Sequence, residues 1–287
     1  MTDQEVRDEL GAHVSVAGGT PAAPARAAAL DAVVMQVFTK QPNRWAEREV
    51  DHEEAATFRA ACKAHGIRTV AAHDSYLINL ATPDPALLQR STQSFVAELR
   101  RCEALGIQFL VSHPGNATDG DPARGLEQNA RAIADALEAV PGSVRVLLEG
   151  TAGSGTALGA SFEELAELVR RIGDAHPDRI GVCLDSCHLW AAGYDLHRLD
   201  DVLEQLDAGL GLEHLRFIHL NDSVAAFDSR RDRHADIGQG TLGKEPFEAI
   251  MRHPALRAVP KVIETPKGDD PEAADRANLA LLRSFRS

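Results

Sequence analysis

Residues 144–186 read VRVLLEGTAGSGTALGASFEELAELVRRIGDAHPDRIGVCLDS. Two short apolar runs, VRVLLEG (144–150) and IGVCLDS (180–186), flank a helical stretch, SFEELAELVRRIG (161–173). The runs are rich in Val, Leu and Ile and are closed by polar residues, as strands buried on both faces of a parallel sheet are. The stretch between them opens on Ser161, followed by Glu163 and Glu164, and ends near Gly173, which are start and stop signals of a helix. The unit is strand, helix, strand, and it recurs along the chain. Further runs are GAHVSV (11–16), VVMQVFT (33–39), IRTVAAH (67–73), FLVSHPG (109–115), LRFIHLND (215–222) and KVIETP (261–266). Helical patterns EEAATFRAACKAHG (53–66), LLQRSTQSFVAELRRCEALG (87–106) and GLEQNARAIADALEAV (125–140) lie between them. Strands that are each followed by a helix, eight times over, predict an α/β fold: a single-domain (β/α)8 TIM barrel spanning 1–287. An open doubly wound sheet is the alternative, but it more often carries a phosphate-loop signature after its first strand.

Composition fits that reading. The 287 residues are 44% apolar and 25% charged, which excludes a disordered or fibrous chain. No apolar run approaches the roughly 20 residues that span a bilayer, and the polar start MTDQEVRDEL resembles no signal or transit peptide. Cys62, Cys102, Cys183 and Cys187 form no CxxC pair, so a cytoplasmic protein with reduced thiols is expected. A net charge of −13 argues against a uniformly basic nucleic-acid binder. It does not exclude one whose basic residues share a face, or whose carboxylates hold divalent cations.

Polar residues with metal-ligand chemistry stand at the ends of the runs. His73 closes the third, His113 the fourth and Glu149 the fifth; Asp185 and His188 follow the sixth, His219 lies on the seventh, and Glu264 on the eighth. They are separated by about one strand–helix unit each, so their side chains converge on the C-terminal rim, where active sites of this fold are built. After the seventh strand a long loop adds Asp232-Arg233-His234, whose spacing lets both outer side chains reach one ion. This set of His and carboxylates suits Zn²⁺, with Mn²⁺ or Fe²⁺ as weaker fits. Singly each residue has a plain explanation: His113-Pro114-Gly115 as a turn, Glu149 as a helix-capping acid, Asp185 and His188 as a loop-orienting pair. As a set they predict a multinuclear metal site, because without cations such a ring would leave like charges facing each other. His13 faces the same rim, as a ligand or as a neighbour that orients one. His52, His65, His176, His197, His214 and His253 read as surface or capping residues. GTAGSGTALG (150–159) lacks both GxGxxG and GK[ST], and reads as a close-approach loop beside the metals. Cys183 and Cys187 read as small buried thiols.

The segments GAHVSVAGG, VFTKQPNRW, AHDSYLINLA, SHPG, LLEGTAGSGTALG, CLDSCHLWAAGYD, HLNDS, DSRRDRHADIGQG and ETP, spread over residues 11–266, together resemble the endonuclease IV family of apurinic/apyrimidinic endonucleases. The resemblance implies three Zn²⁺ per chain, with Mn²⁺ as a possible substitute. One would be held by His73, His113 and Glu149. A second would be held by Glu149, Asp185, His219 and Glu264, and a third by His188, Asp232 and His234. It implies base-excision repair by a deoxyribonuclease IV-type phosphoric diester hydrolase. Its partner would be double-stranded DNA carrying abasic or 3′-blocked damage, and it would work as a cytoplasmic monomer. Cleavage on the 5′ side of an abasic site would leave a 3′-hydroxyl and a 5′-deoxyribose phosphate. Zinc lowers the pKa of bound water toward 7, Glu149 would set the metal spacing, and Glu264 would orient the nucleophile. Tyr76 and Leu77 match the family's DNA-penetrating residues. In KQPNRW, Asn43 stands where the family usually has an Arg, and the adjacent Arg44 is the candidate to replace it. Lys40, Arg44, Arg230, Arg231, Arg233, Lys244 and Lys267 would add a phosphate-attracting rim. Two other readings are a divalent-metal sugar isomerase or epimerase on the same barrel, which has no need of Asp232, His234 and His188, and a non-catalytic lesion-binding protein, which would be expected to have lost a ligand.

Overall fold

Eight strands close into a parallel barrel in the computed structural model, which describes residues 9–286. They are β1 (Leu10–His13), β2 (Val34–Phe38), β3 (Thr69–His73), β4 (Phe109–Ser112), β5 (Arg145–Glu149), β6 (Ile180–Asp185), β7 (Leu215–Leu220) and, after two short strands, β10 (Lys261–Ile263). β1 pairs with β10 on one side and β2 on the other, which completes the ring. The short strands β8 (Asp222–Ser223) and β9 (His234–Ala235) form an antiparallel pair of their own above the barrel. The outer layer is α1 (Ala23–Ala29), α2 (His52–Ala64), α3 (Pro85–Leu105), α4 (Pro122–Ala139), α5 (Phe162–Gly173), α7 (Leu199–Gly209), α8 (Glu245–Arg252) and α9 (Pro271–Ser284). The remaining helix, α6 (Ser186–Ala191), begins where β6 ends. All eight sequence-predicted strands are present. The first stops at His13 rather than at residue 16, because after Val14 bonds Gln36 the chain turns away.

Local chemistry fixes the helix ends. Asp51, Asp84, Asp121, Ser161 and Asp270 each cap a helix by accepting from its first-turn amides, which otherwise lack partners. α3 ends on Gly106 at φ 74, a left-handed conformation that glycine adopts without steric cost.

Side chains alternate across each strand, and this alternation builds two stacked layers inside the barrel. The lower layer is an apolar plug of Val34, Ala71, Val111, Leu147, Cys183, Phe217 and Val262. Gly11 fills the β1 position of that layer, because a Cβ there would lie 1.6 Å from the carbonyl oxygen of Val34. Their strand neighbours Met35, Ala72, Leu110, Leu148, Leu184, Ile218 and Ile263 point outward into the core shared with the helices. Two residues further along every strand, on the plug's side of the pleat, stand His13, Gln36, His73, His113, Glu149, Asp185, His219 and Glu264. The polar ring is therefore the layer above the apolar plug. No helix among the described residues is long and apolar enough to cross a membrane.

Candidate metal centre

Glu149 is the centre of the ring. Its Oε2 lies 3.0 Å from His73 Nε2 and 3.2 Å from His113 Nε2, while Oε1 lies 3.0 Å from His219 Nδ1. The two oxygens of one buried carboxylate thus serve two donor groups. The first is His73, His113 and Glu149; the second is Glu149, Asp185, His219 and Glu264, and within each group the ligand atoms lie within 4.8 Å of one another. His219 Nδ1 is 3.2 Å from Glu264 Oε2 and 3.8 Å from Asp185 Oδ2.

A third group grows from the junction of β6 with α6. Asp185 Oδ1 caps α6 by accepting from the amides of Cys187 and His188, at 2.7 and 3.1 Å. Its Oδ2 is left facing the ring. The first turn of α6 presents His188, and the β8–β9 pair carries Asp232 and His234 back over the rim. Asp232 lies between the two imidazoles, 3.2 Å from His188 Nε2 and 3.3 Å from His234 Nε2. Asp185, His188 and His234 also fall within one 4.8 Å set. So does Cys187 with Asp232 and His234, but burial pushes its thiol up to about 12, as it does for Cys183 in the apolar plug. Both behave as neutral buried thiols at physiological pH.

The donor chemistry fits cations. His73 Nδ1 is 3.0 Å from the carbonyl of Asp74, His188 Nδ1 2.9 Å from that of Gly150, and His234 Nδ1 3.2 Å from that of Glu264. A neutral imidazole has one N–H, and the carbonyl claims it, so Nε2 turns a lone pair toward a carboxylate. Two of these atoms, His188 Nε2 and His234 Nε2, are buried without a hydrogen-bond partner. Lone pairs facing carboxylates in a buried ring require a positive charge between them, either a proton or a metal. Without metal, protons take that role. Burial opposes the charged imidazole of His73, but the Glu149, Asp74 and Glu264 carboxylates push it up to about 10. For His234 burial is likewise overcome, by Asp185 and Asp232, and the group reaches about 9. His188 and His219 rise well above the ordinary range against their burial. Glu149, Asp232 and Glu264 move the other way: burial would raise them, and the neighbouring imidazoles hold them well below the usual carboxylate range.

Residues 23–285 match the family described as the xylose isomerase-like TIM barrel. The chain is 46% identical over 282 residues to the probable endonuclease 4 of Trichlorobacter lovleyi, covering 97% of this chain and 99% of that one. The crystal structure of endonuclease IV from Thermus thermophilus superposes with a TM-score of 0.84 at 36% identity, over 96% of this chain and 98% of that one. The chain belongs to the endonuclease IV family. A D-psicose 3-epimerase from Clostridium cellulolyticum superposes at 0.65 with 16% identity, over 92% of each chain, and shares the fold alone.

The residues predicted from the sequence for a DNA face lie on loops around the barrel mouth, with one correction. Tyr76 is 61% exposed, its ring edge-on to Phe38 at 5.3 Å and 6.0 Å from the His73 ring. Leu77 beside it is half-buried, and Asn43 and Arg44 are at the surface on the loop after β2. Ser75 Oγ donates to the Pro42 carbonyl at 2.5 Å, which ties the Tyr76 and Arg44 loops together. Arg230 and Arg233 lie on the loop between β8 and β9. The glycine-rich loop packs beside the metal groups as expected: Gly150 anchors His188, and Ser154 donates to the carbonyl of Arg230. Lys40 is not on this face. Its side chain is buried and its ammonium is committed to Glu47 at 2.6 Å, Ser94 at 3.0 Å and the Arg44 carbonyl at 3.1 Å. Lys267 is bound to Asp275 at 2.6 Å. Lys40 belongs to scaffolding, whereas Lys267 keeps about a third of its side chain exposed beside the ring.

His13 Nδ1 is 2.9 Å from Glu264 Oε1, so it is a neighbour that orients a candidate ligand. Three residues were missed in the sequence. Asn221 donates to Asp185 Oδ2 at 2.7 Å and accepts from the Glu264 amide at 2.8 Å. Ser112 donates to Asp74 Oδ2 at 2.6 Å, behind His73. Gln36 touches His13, His219 and Glu264. The pleat would have found Gln36, since it is two residues beyond Val34 as His73 is two beyond Ala71.

Proposed function

We propose that this endonuclease hydrolyses the DNA phosphodiester on the 5′ side of abasic sites in duplex DNA, leaving a 3′-hydroxyl and a 5′-deoxyribose phosphate, with three zinc ions at the barrel mouth. His73, His113 and Glu149 would hold the first, Glu149, Asp185, His219 and Glu264 the second, and His188, Asp232 and His234 the third. The observation that carries the reading is the pair of orphaned buried nitrogens, His188 Nε2 and His234 Nε2, aimed at Asp232 in a group adjoining the two that share Glu149. Bound zinc supplies Lewis acidity toward phosphodiester oxygens and lowers the pKa of water in the site. Glu149 spans the first two groups and sets their separation. Glu264 has one oxygen fixed by His13 and turns the other into the ring, where it can orient a nucleophile. Tyr76 and Leu77, with Arg44 across the Ser75–Pro42 contact, fill the gap left when the abasic nucleotide is extruded from the stack. Arg230 and Arg233 meet phosphates, as the local field requires on a chain of net charge −13.

The test is incubation of purified, metal-analysed protein with a duplex carrying one tetrahydrofuran abasic analogue, with no added Mg²⁺. Incision with a 3′-hydroxyl is expected, together with close to three zinc ions per chain. The analogue resists β-elimination, so an intact duplex would reject hydrolysis, while one metal or none in folded protein would favour a sugar isomerase.

A further inference from the structure

Gln36 lies on β2 in the polar layer, fully buried, with its amide committed to two of the proposed zinc ligands. Nε2 is 2.6 Å from Glu264 Oε1, and Oε1 is 2.9 Å from His219 Nε2. A carboxylate only accepts, so the amide must turn its NH₂ to Glu264 and its carbonyl to His219, and His219 must then donate from Nε2. The lone pair of His219 is thereby placed on Nδ1, the atom facing Glu149 at 3.0 Å and Glu264 at 3.2 Å. On Glu264, Oε1 receives both Gln36 and His13 Nδ1, leaving Oε2 to face His219. We infer that Gln36 is a positioning residue for the metal held by Glu149, Asp185, His219 and Glu264, one amide selecting both the ring nitrogen that His219 offers and the oxygen that Glu264 offers. The inference rests on the zinc reading above. The side-chain type follows from the chemistry. A carboxylate at this position would repel Glu264, and an apolar side chain would leave the His219 N–H buried and unpaired.

Gln36→Met and Gln36→Leu keep bulk and remove both bonds. Zinc transfer from fully loaded protein to a chromophoric chelator is followed equivalent by equivalent, alongside the proton resonance of the His219 Nε2–H in the zinc-loaded state. About one zinc equivalent is expected to leave at least about 10-fold faster than in the wild type, the range seen when a ligand's hydrogen-bond partner is removed. The other two should keep their rates, and the His219 resonance should shift and exchange faster with solvent. Gln36→Glu, similar in size and still an acceptor for His219, should restore that resonance but not slow release. Wild-type release with an unmoved His219 signal in the variants overturns the inference. So does uniform acceleration of all three equivalents, which marks a merely structural residue. A wild type purified without zinc overturns the metal reading beneath it.

Discussion

The barrel interior holds two layers that differ by two residues on each strand and by almost everything in chemistry. The lower, Val34 to Val262, is apolar and uncharged; the upper, His13 to Glu264, is a ring of imidazoles, carboxylates and one amide. Both are largely buried, so burial alone does not separate structure from function in this molecule. What separates them is the source of their free energy. The plug is stabilised by apolar area removed from water, whereas the ring is costly to bury unless positive charge sits within it.

The largest effect should come from stripping metal. Incision should fall to the uncatalysed level while far-ultraviolet circular dichroism keeps its folded shape, because the plug needs no cation; collapse of both together would unite what the two layers keep apart. Reloading zinc at pH 7 should release about two or more protons per chain, since His73 near 10 and His234 near 9 are protonated in the metal-free ring. Apparent zinc affinity therefore rises with pH up to that range, and a dye in weak buffer reads the release directly. Next, Leu147→Ala removes a plug side chain directly beneath Glu149 and should cost about 2–5 kcal/mol in chemical denaturation, with zinc per folded chain unchanged. Glu264→Gln, in the upper layer, should do the opposite: stability near wild type, abasic-duplex binding retained, and turnover lower by about 10²-fold. Turnover at the wild-type rate would remove Glu264 from the chemistry.

Legibility in the sequence follows the same division. The strands were readable because short apolar runs bounded by polar residues announce buried parallel strands, and the ring was readable because ionisable residues at successive strand ends are improbable there without a task. Gln36 was missed because an amide inside VVMQVFT carries no charge to draw notice, and only the two-residue pleat counted from Val34 marks it. The burial of Lys40 was hidden for another reason: its partner Ser94 is 54 residues away, a pairing that composition near Lys40 cannot signal.

Smaller effects test the rim. Tyr76→Ala should weaken abasic-duplex binding by about 1–3 kcal/mol with zinc content unchanged, the range of lost base–aromatic stacking. Arg44→Ala should give a comparable or smaller loss confined to the abasic duplex if Arg44 fills the gap. Equal weakening on undamaged DNA, with the salt slope lowered by about one, would make it a phosphate contact instead.

The loop that presents Arg44 is bracketed from beneath by charge. Lys40 holds Glu47 and Ser94, and Arg101 of α3 binds Glu47 at 2.7 Å, Thr39 at 2.7 Å and the carbonyl of Arg48 at 3.2 Å. Residues 39–48 are thus ordered by folding, before any duplex arrives. Encounter with a partner then has little backbone freedom left to remove here, and on the proposed reading the entropy lost on association would fall on the exposed tips, Tyr76 and Arg44.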